Sequence, residues 1–285
     1  MKIITSVDEM QTMAAALRAA GQRIGFVATM GNLHEGHLSL VRLANQHADV
    51  VVVSIFVNPT QFGPGEDYTS YPRTFESDCS RCDAFGVDVV LYPSVEEMYP
   101  EGASIAVTES TLSLTLCGAS RPGHFDGVCT VVAKLFNIVQ PHIAVFGEKD
   151  AQQLRIICRM VRDLCYPVTI ISGPTQRAAD GLALSSRNQH LTPAQRAQAT
   201  CLRRALDHAQ ELFAAGERDP GRLQAAMCEI IERAPEAKID YVALVDADTL
   251  QPLTGLIERP VLAALAVWVG SPRLIDNTVL CSVDN

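Results

Sequence analysis

The sequence predicts an α/β protein: a Rossmann-like, doubly wound parallel sheet followed by a smaller C-terminal α+β unit. Three observations predict it. Over the first 173 residues, short Val- and Ile-rich runs alternate with segments of helical periodicity. Most of those runs are not interrupted by polar residues, as expected of strands covered on both faces of a parallel sheet. After Gly173-Pro174 the alternation stops and two long helical patterns precede two strand-like runs. The predicted division is a Rossmann-like domain over 1–174 and a smaller α+β domain over 175–285.

Taken in order, the expected strands of the first domain cover 24–29, 50–56, 87–92, 143–146 and 168–171. Between them, apolar residues at helical spacing predict helices over 38–48, 75–85, 128–139 and 151–164. In the second domain Thr192-Pro193 opens a helix running to about Ala215, with Thr as N-cap and Pro in the first turn. A second helix is expected over 220–233, and strands near 239–245 and 261–269. There is no internal repeat and no low-complexity segment.

Composition excludes several classes of function. With 48% hydrophobic and 19% charged residues the chain reads as an ordinary globular protein. A net charge of −9 leaves no basic footprint for nucleic acid or an anionic membrane. It does not exclude a nucleotide, because a helix N-terminus supplies phosphate donors locally. The longest apolar runs, 50–57 and 261–269, fall short of the ~20 residues that span a bilayer. Residues 1–18 lack the apolar core of a signal peptide. Nine cysteines, an odd number without paired spacing, suit reduced thiols and a cytoplasmic location. Cys79 and Cys82 form one C-x-x-C, but no second pair completes a zinc set, so two thiols on a helix face are expected.

Ligands of open α/β sheets bind beyond the carboxyl ends of the strands, so the strand-to-helix loops carry the functional reading. The first is Thr29-Met30-Gly31-Asn32-Leu33-His34-Glu35-Gly36-His37. Two histidines three apart share one face of the first helical turn, beside unpaired backbone amides and the positive end of the helix dipole. Phosphate is the natural guest, and donating imidazoles can offset charge on a pentacoordinate α-phosphorus. An ordinary loop or a metal pair are the other readings of so short a motif. Gln61, in Asn58-Pro59-Thr60-Gln61, can hydrogen-bond a small substrate, or can be a plain loop glutamine. The segment 118–127 combines glycines with Arg121 and His124 and reads as a long loop, either a mobile cover for an anion or a surface loop. In Gly147-Glu148-Lys149-Asp150-Ala151-Gln152-Gln153, Lys149 suits phosphate oxygens and Asp150 a helix cap. Leu184-Ser185-Ser186-Arg187 offers donors in sequence beside the domain junction, as a clamp on a polyphosphate or as a polar turn.

These five segments, in this order, resemble the signature segments of the pantothenate synthetases (pantoate–β-alanine ligases), and Arg273-Leu274-Ile275-Asp276-Asn277 matches as well. The resemblance spans nearly the whole chain and places it in the His-x-Gly-His nucleotidyltransferase superfamily, related in fold to class I aminoacyl-tRNA synthetases. It implies a two-step reaction. Pantoate attacks the α-phosphate of ATP, assisted by Mg²⁺, and β-alanine then displaces AMP from pantoyl adenylate. It also implies residue roles: Met30, Gly31, Asn32, Leu33, His34, Glu35, Gly36 and His37 on ATP, with His37 the proton donor. Gly147, Glu148, Lys149, Asp150, Gln176, Leu184, Ser185, Ser186 and Arg187 would complete the ATP site, Lys149 bracing the phosphates. Gln61 and Gln153 would hold pantoate, Gln61 also lying near β-alanine. A homodimer is implied too. Ala28, Asp126 and Gln176 depart from the family pattern, and these departures bear on affinity more than on reaction type.

Two rivals remain at this level. A nucleotidyltransferase of the same superfamily acting on another small acceptor would share His34 and His37 but release no AMP. A nucleotide-binding module without turnover would not need His34, His37, Lys149 and Arg187 together. A dehydrogenase is disfavoured because the first loop is not G-x-G-x-x-G.

Overall fold

The computed structural model describes residues 1–281. Its strands are β1 (Lys2–Ile4), β2 (Ile24–Thr29), β3 (Val50–Ile55), β4 (Val89–Leu91), β5 (Ile143–Gly147), β6 (Thr169–Gly173), β7 (Ala237–Asp246), β8 (Val261–Val269) and β9 (Arg273–Leu280). Its helices are α1 (Val7–Ala19), α2 (Glu35–Asn45), α3 (Phe75–Ala84), α4 (Val95–Met98), α5 (Leu116–Ser120), α6 (His124–Val139), α7 (Ala151–Asp163), α8 (Pro193–Ala199), α9 (Cys201–Ala214) and α10 (Pro220–Glu232). Contacts divide the chain into two compact units. One comprises Met1–Ser110, Arg121–Glu148 and Gln153–Pro174; the other Thr111–Ser120, Lys149–Gln152 and Thr175–Asn285, of which the last four residues lie outside the described ones.

In the first unit six parallel strands lie in the order β1-β4-β3-β2-β5-β6. Burial on both faces explains the unbroken apolar runs: every residue of β3 and of β4 is buried. One side of the core joins Val27, Val51, Val53, Val90 and Val145 to Val41 and Ala44 of α2. Each such valine contributes roughly 1.5–3 kcal/mol on full burial. The strand order reverses between β2 and β5, the topological switch point where doubly wound sheets hold ligands. The loop leaving β2 begins at Met30 and the one leaving β5 at Glu148.

The second unit is a three-stranded antiparallel sheet, β7-β8-β9, covered by helices. Leu202 and Leu206 of α9 and Met227 and Ile231 of α10 pack with Val261, Leu265 and Val267 of β8. Thr192 and Gln195 form a capping box with Pro193 at the helix start, and Asp219 caps α10.

Several elements differ from the expectation. β1 and α1 occupy a stretch the periodicity did not assign, and β9 was read only as a matching segment. The single helix expected from Thr192 breaks into α8 and α9 at Thr200, whose hydroxyl turns back onto the Ala197 carbonyl. Segment 118–127 is not a long loop: α5 ends at Ser120 and α6 begins at His124, joined by a tight turn through Gly123 at φ 80°. Asp150 immediately precedes its helix, as the last residue of a 3₁₀ turn, Glu148–Asp150, that runs straight into α7.

Candidate active site

The histidine loop is built from β2 outward. The Thr29 hydroxyl donates to the Ser54 carbonyl of the neighbouring strand at 2.8 Å and accepts the Gly31 N–H at 3.1 Å. Gly31 (φ 82°) and Asn32 (φ 48°) then turn the chain through the left-handed region, which glycine and asparagine tolerate best. His34 is the N-cap of α2, and both half-buried imidazoles are tied to backbone. His34 Nδ1 accepts from Gly36 N–H at 3.1 Å, and His37 Nδ1 accepts from His34 N–H at 3.3 Å.

A backbone N–H can only donate, so each Nδ1 is an acceptor, and a neutral ring then carries its proton on Nε2. The rings lie 4.1 Å apart between centroids, inclined by 35°. The loop thus fixes two Nε2–H donors side by side at the positive end of an 11-residue helix, a geometry suited to an anion. Glu35 turns its carboxylate to Arg42 of the same helix in a half-exposed ion pair. Leu33 is buried and its carbonyl accepts from Arg81.

Gln61 lies in a 3₁₀ turn, Pro59–Gln61, that sits directly on α6. Asn58, 1% exposed, organises this turn: its amide donates to Gln61 Oε1 and to the Gly127 carbonyl, both at 3.1 Å. Its own oxygen accepts from the Tyr99 hydroxyl at 2.7 Å and from Thr60. Burial pushes the Tyr99 phenol up, which keeps it the donor. With Oε1 taken by Asn58, Gln61 presents its NH₂ group, which reaches Met30 Sδ at 3.3 Å. Gly127 makes the approach possible, since a Cβ there would overlap the Thr60 carbonyl.

Arg121 and His124 brace the same turn. Arg121 holds Glu66 with two hydrogen bonds, at 2.7 and 2.5 Å, and donates to the Gln61 carbonyl at 3.3 Å. His124 Nδ1 meets that carbonyl at 2.8 Å, and its Nε2 faces Arg121 at 3.1 Å. Because Arg121 can only donate, Nε2 accepts and Nδ1–H donates. Burial pushes the Glu66 carboxyl up, but Arg121, with help from the Gly63 amide, outweighs it and holds it below the usual value.

The second unit carries most of the other expected residues. Lys149, with a side chain 20% exposed, stands 3.9 Å from the Asp150 carboxylate, and its carbonyl accepts from Asn277 at 2.9 Å. Gln152 is spent on structure: its NH₂ donates to the Leu112 and Thr115 carbonyls and its oxygen accepts from Cys117 N–H. Gln153 follows it in the first turn of α7, half-buried, in the first unit. The Gln176 carbonyl accepts from Leu184 N–H, closing a turn in which Arg177 and Ala183 form an antiparallel bridge. Ser185 caps the 3₁₀ helix Ser186–His190 by accepting from Arg187 N–H at 3.3 Å. Buried Asp276 holds Arg177 through two bonds, at 2.6 and 2.9 Å.

Asn58, Tyr99 and Asp276, which the sequence did not single out as site residues, hold Gln61, its turn and Arg177 by buried hydrogen bonds. Among the described residues no group of three His, Cys, Asp or Glu could hold a metal ion, and no helix is long and apolar enough to cross a membrane. Cys79 and Cys82 are thiols of α3, both pushed up by burial, Cys82 to about 12.

Comparison with known proteins follows the same line. A family model described as "Pantoate-beta-alanine ligase" matches residues 2–279. The chain is 56% identical over 280 residues to the pantothenate synthetase of Thermotoga neapolitana, covering 98% of this chain and 100% of that one. It is similar to the crystal structure of pantothenate synthetase from Thermus thermophilus, with TM-score 0.93 and 46% identity over 99% of this chain and 100% of that one. It also resembles a pantoate-β-alanine ligase from Francisella tularensis, solved in complex with "Beta-gamma ATP" and β-alanine. There the TM-score is 0.78 and the identity 35%, over 98% of this chain and 97% of that one.

Proposed function

The chain belongs to the pantoate–β-alanine ligase family, and from that membership we propose how its residues carry out the family's reaction. The enzyme condenses pantoate with β-alanine at the expense of ATP, giving pantothenate, AMP and pyrophosphate. In the first step a pantoate carboxylate oxygen bonds to the α-phosphorus as the bond to the bridging oxygen breaks and pyrophosphate leaves. In the second the β-alanine amine bonds to the acyl carbon, the bond from that carbon to AMP breaks, and the amine loses a proton.

The observation that supports the residue assignment is the pair of imidazoles whose Nδ1 atoms accept from backbone N–H groups at the start of α2, which puts the proton of each neutral ring on Nε2. His34 and His37 donate to the phosphate oxygens of ATP, where negative charge grows as pyrophosphate departs. Met30, Gly31, Asn32, Leu33, Glu35 and Gly36 belong to the same ATP-binding loop. Gly147, Glu148, Lys149, Asp150, Gln176, Leu184, Ser185, Ser186 and Arg187 contact ATP as well, Lys149 as a point charge on the phosphates. Gln61 and Gln153 hold pantoate. The fixed orientation of Gln61 supports this, because an NH₂ group, with a second hydrogen beyond its contact to Met30, suits a carboxylate or hydroxyl oxygen.

Mg²⁺ would be brought in by the triphosphate. The described residues offer no three-ligand cage, and Mg²⁺ commonly binds through substrate phosphates with few protein ligands. When bound it neutralises charge on the leaving pyrophosphate. The working form is a homodimer in the cytoplasm, a reading supported by the family resemblance and by nine cysteines that form no disulfide.

The test is product analysis with ATP and Mg²⁺. AMP release that requires both pantoate and β-alanine, in step with pantothenate, is expected. Pyrophosphate released without pantoate, or a product retaining the nucleotide, would contradict the assignment. Gln61→Ala should raise the KM for pantoate more than that for ATP.

A further inference from the structure

A carboxylate that grips the backbone of the histidine loop lies on a helix that none of the motif segments includes. Asp78 is in α3 and 1% exposed. Its Oδ2 accepts from Asn32 N–H at 2.9 Å and from the Thr74 hydroxyl at 3.0 Å, and its Oδ1 accepts from Leu33 N–H at 2.8 Å. One turn further along α3, Arg81 donates to the Leu33 carbonyl. The same helix therefore holds Leu33 by both its N–H and its C=O.

The grip is applied where the chain is least able to hold its own shape. Gly31 and Asn32 are both in the left-handed region, at φ 82° and 48°, and neither is in a helix or strand. A Cβ on Gly31 would lie 3.0 Å from Asp78 Oδ2, so a larger residue there would crowd the carboxylate. Leu33 immediately precedes His34, whose backbone starts α2 and whose N–H fixes the His37 ring. A shift at Leu33 is thus passed directly along the backbone to both imidazoles.

We propose that Asp78 is the positioning residue of the nucleotide loop, setting where α2 begins and so where the two Nε2–H donors point. The proposal rests on the reading of that loop as the ATP site. Asp78 acts through the loop backbone and touches neither nucleotide nor metal. Both its oxygens are directed at loop and helix donors, and the described residues gather no metal cluster around it.

Asp78→Asn is nearly isosteric but turns one acceptor into an NH₂ group, which cannot receive a backbone N–H. The experiment compares pyrophosphate release from ATP and pantoate with aminolysis of supplied pantoyl adenylate by β-alanine, alongside an Mg²⁺ titration. Adenylation should fall about 10²-fold, the scale of a misplaced transition-state donor. Aminolysis at saturating adenylate should change by less than about threefold, with the Mg²⁺ midpoint unmoved. Thr74→Val, which keeps the carboxylate but removes one of its partners, should show a smaller loss confined to adenylation, and it carries the test if Asp78→Asn does not fold. Equal loss in both steps would make Asp78 a general structural residue, and a shifted Mg²⁺ midpoint would make it a metal ligand; either overturns the proposal. Unimpaired variants beside an active wild type would overturn it alone, whereas a wild type that releases no pyrophosphate would remove the ATP reading on which it stands.

Discussion

At the scale of single residues, hydrogen bonds fix which atom of a side chain accepts and so which one carries the proton. His34 and His37 have their Nδ1 atoms occupied by backbone N–H groups, and Gln61 has its carbonyl oxygen occupied by Asn58. His37→Gln, whose amide nitrogen can stand near the Nε2 position, is therefore expected to keep more adenylation activity than His37→Asn, which reproduces only Nδ1. His37→Ala should lose about 10²-fold or more in pyrophosphate release while remaining folded. The reverse order of Gln and Asn would mean that Nδ1 faces the reaction. The spacing of the histidines, and so their shared face, was legible in the sequence. Their tautomer was not, because it depends on a cap geometry that only coordinates reveal. Asp78 was illegible for a related reason: its partners lie 45 and 46 residues away in sequence.

At the scale of elements, periodicity found the strands that are buried on both faces and the helices with a broad apolar stripe. It missed α1, in which only Met10 and Ala14 are buried, although Ser6 and Glu9 carry the spacing of a capping signal. It missed β9 because the strand buries an acid, Asp276, where an alternating pattern expects an apolar residue; Arg177 offsets that charge. The contact of the Gln61 turn with α6 gives a prediction at this scale. Gly127→Ala should push the turn off the helix, destabilise the fold by roughly 1–3 kcal/mol, and raise the KM for pantoate; an unchanged melting temperature and KM would contradict the close approach. The Arg121–Glu66 brace gives another. Glu66 is held below its ordinary value of 4.5, so its contribution to stability is present above that pH and is lost as pH falls through the lower folded value. The stability difference between wild type and Glu66→Gln, followed by urea unfolding, should be constant near neutrality and shrink in acid. A difference that grows in acid would reverse the assignment.

At the scale of the whole molecule, the switch point between β2 and β5 places the histidine loop where a doubly wound sheet binds ligands, and family membership states what the ligands are. The change of pattern after Gly173-Pro174 was legible, but the division by contacts is less simple: Thr111–Ser120 and Lys149–Gln152 group with the later residues. Long-range hydrogen bonds draw them there, from Thr115 to Leu250 and from Asn277 to Lys149, and no local pattern announces such bonds. Everything assigned to the histidine loop depends on the pantoate carboxylate being activated by forming a bond to the α-phosphorus of ATP. That bond is traced by supplying pantoate labelled with ¹⁸O in its carboxylate and following the label into products by mass spectrometry. One labelled oxygen is expected in the phosphate of AMP and one retained in pantothenate. Label in inorganic phosphate with ADP as the partner product, or AMP free of label, would contradict it.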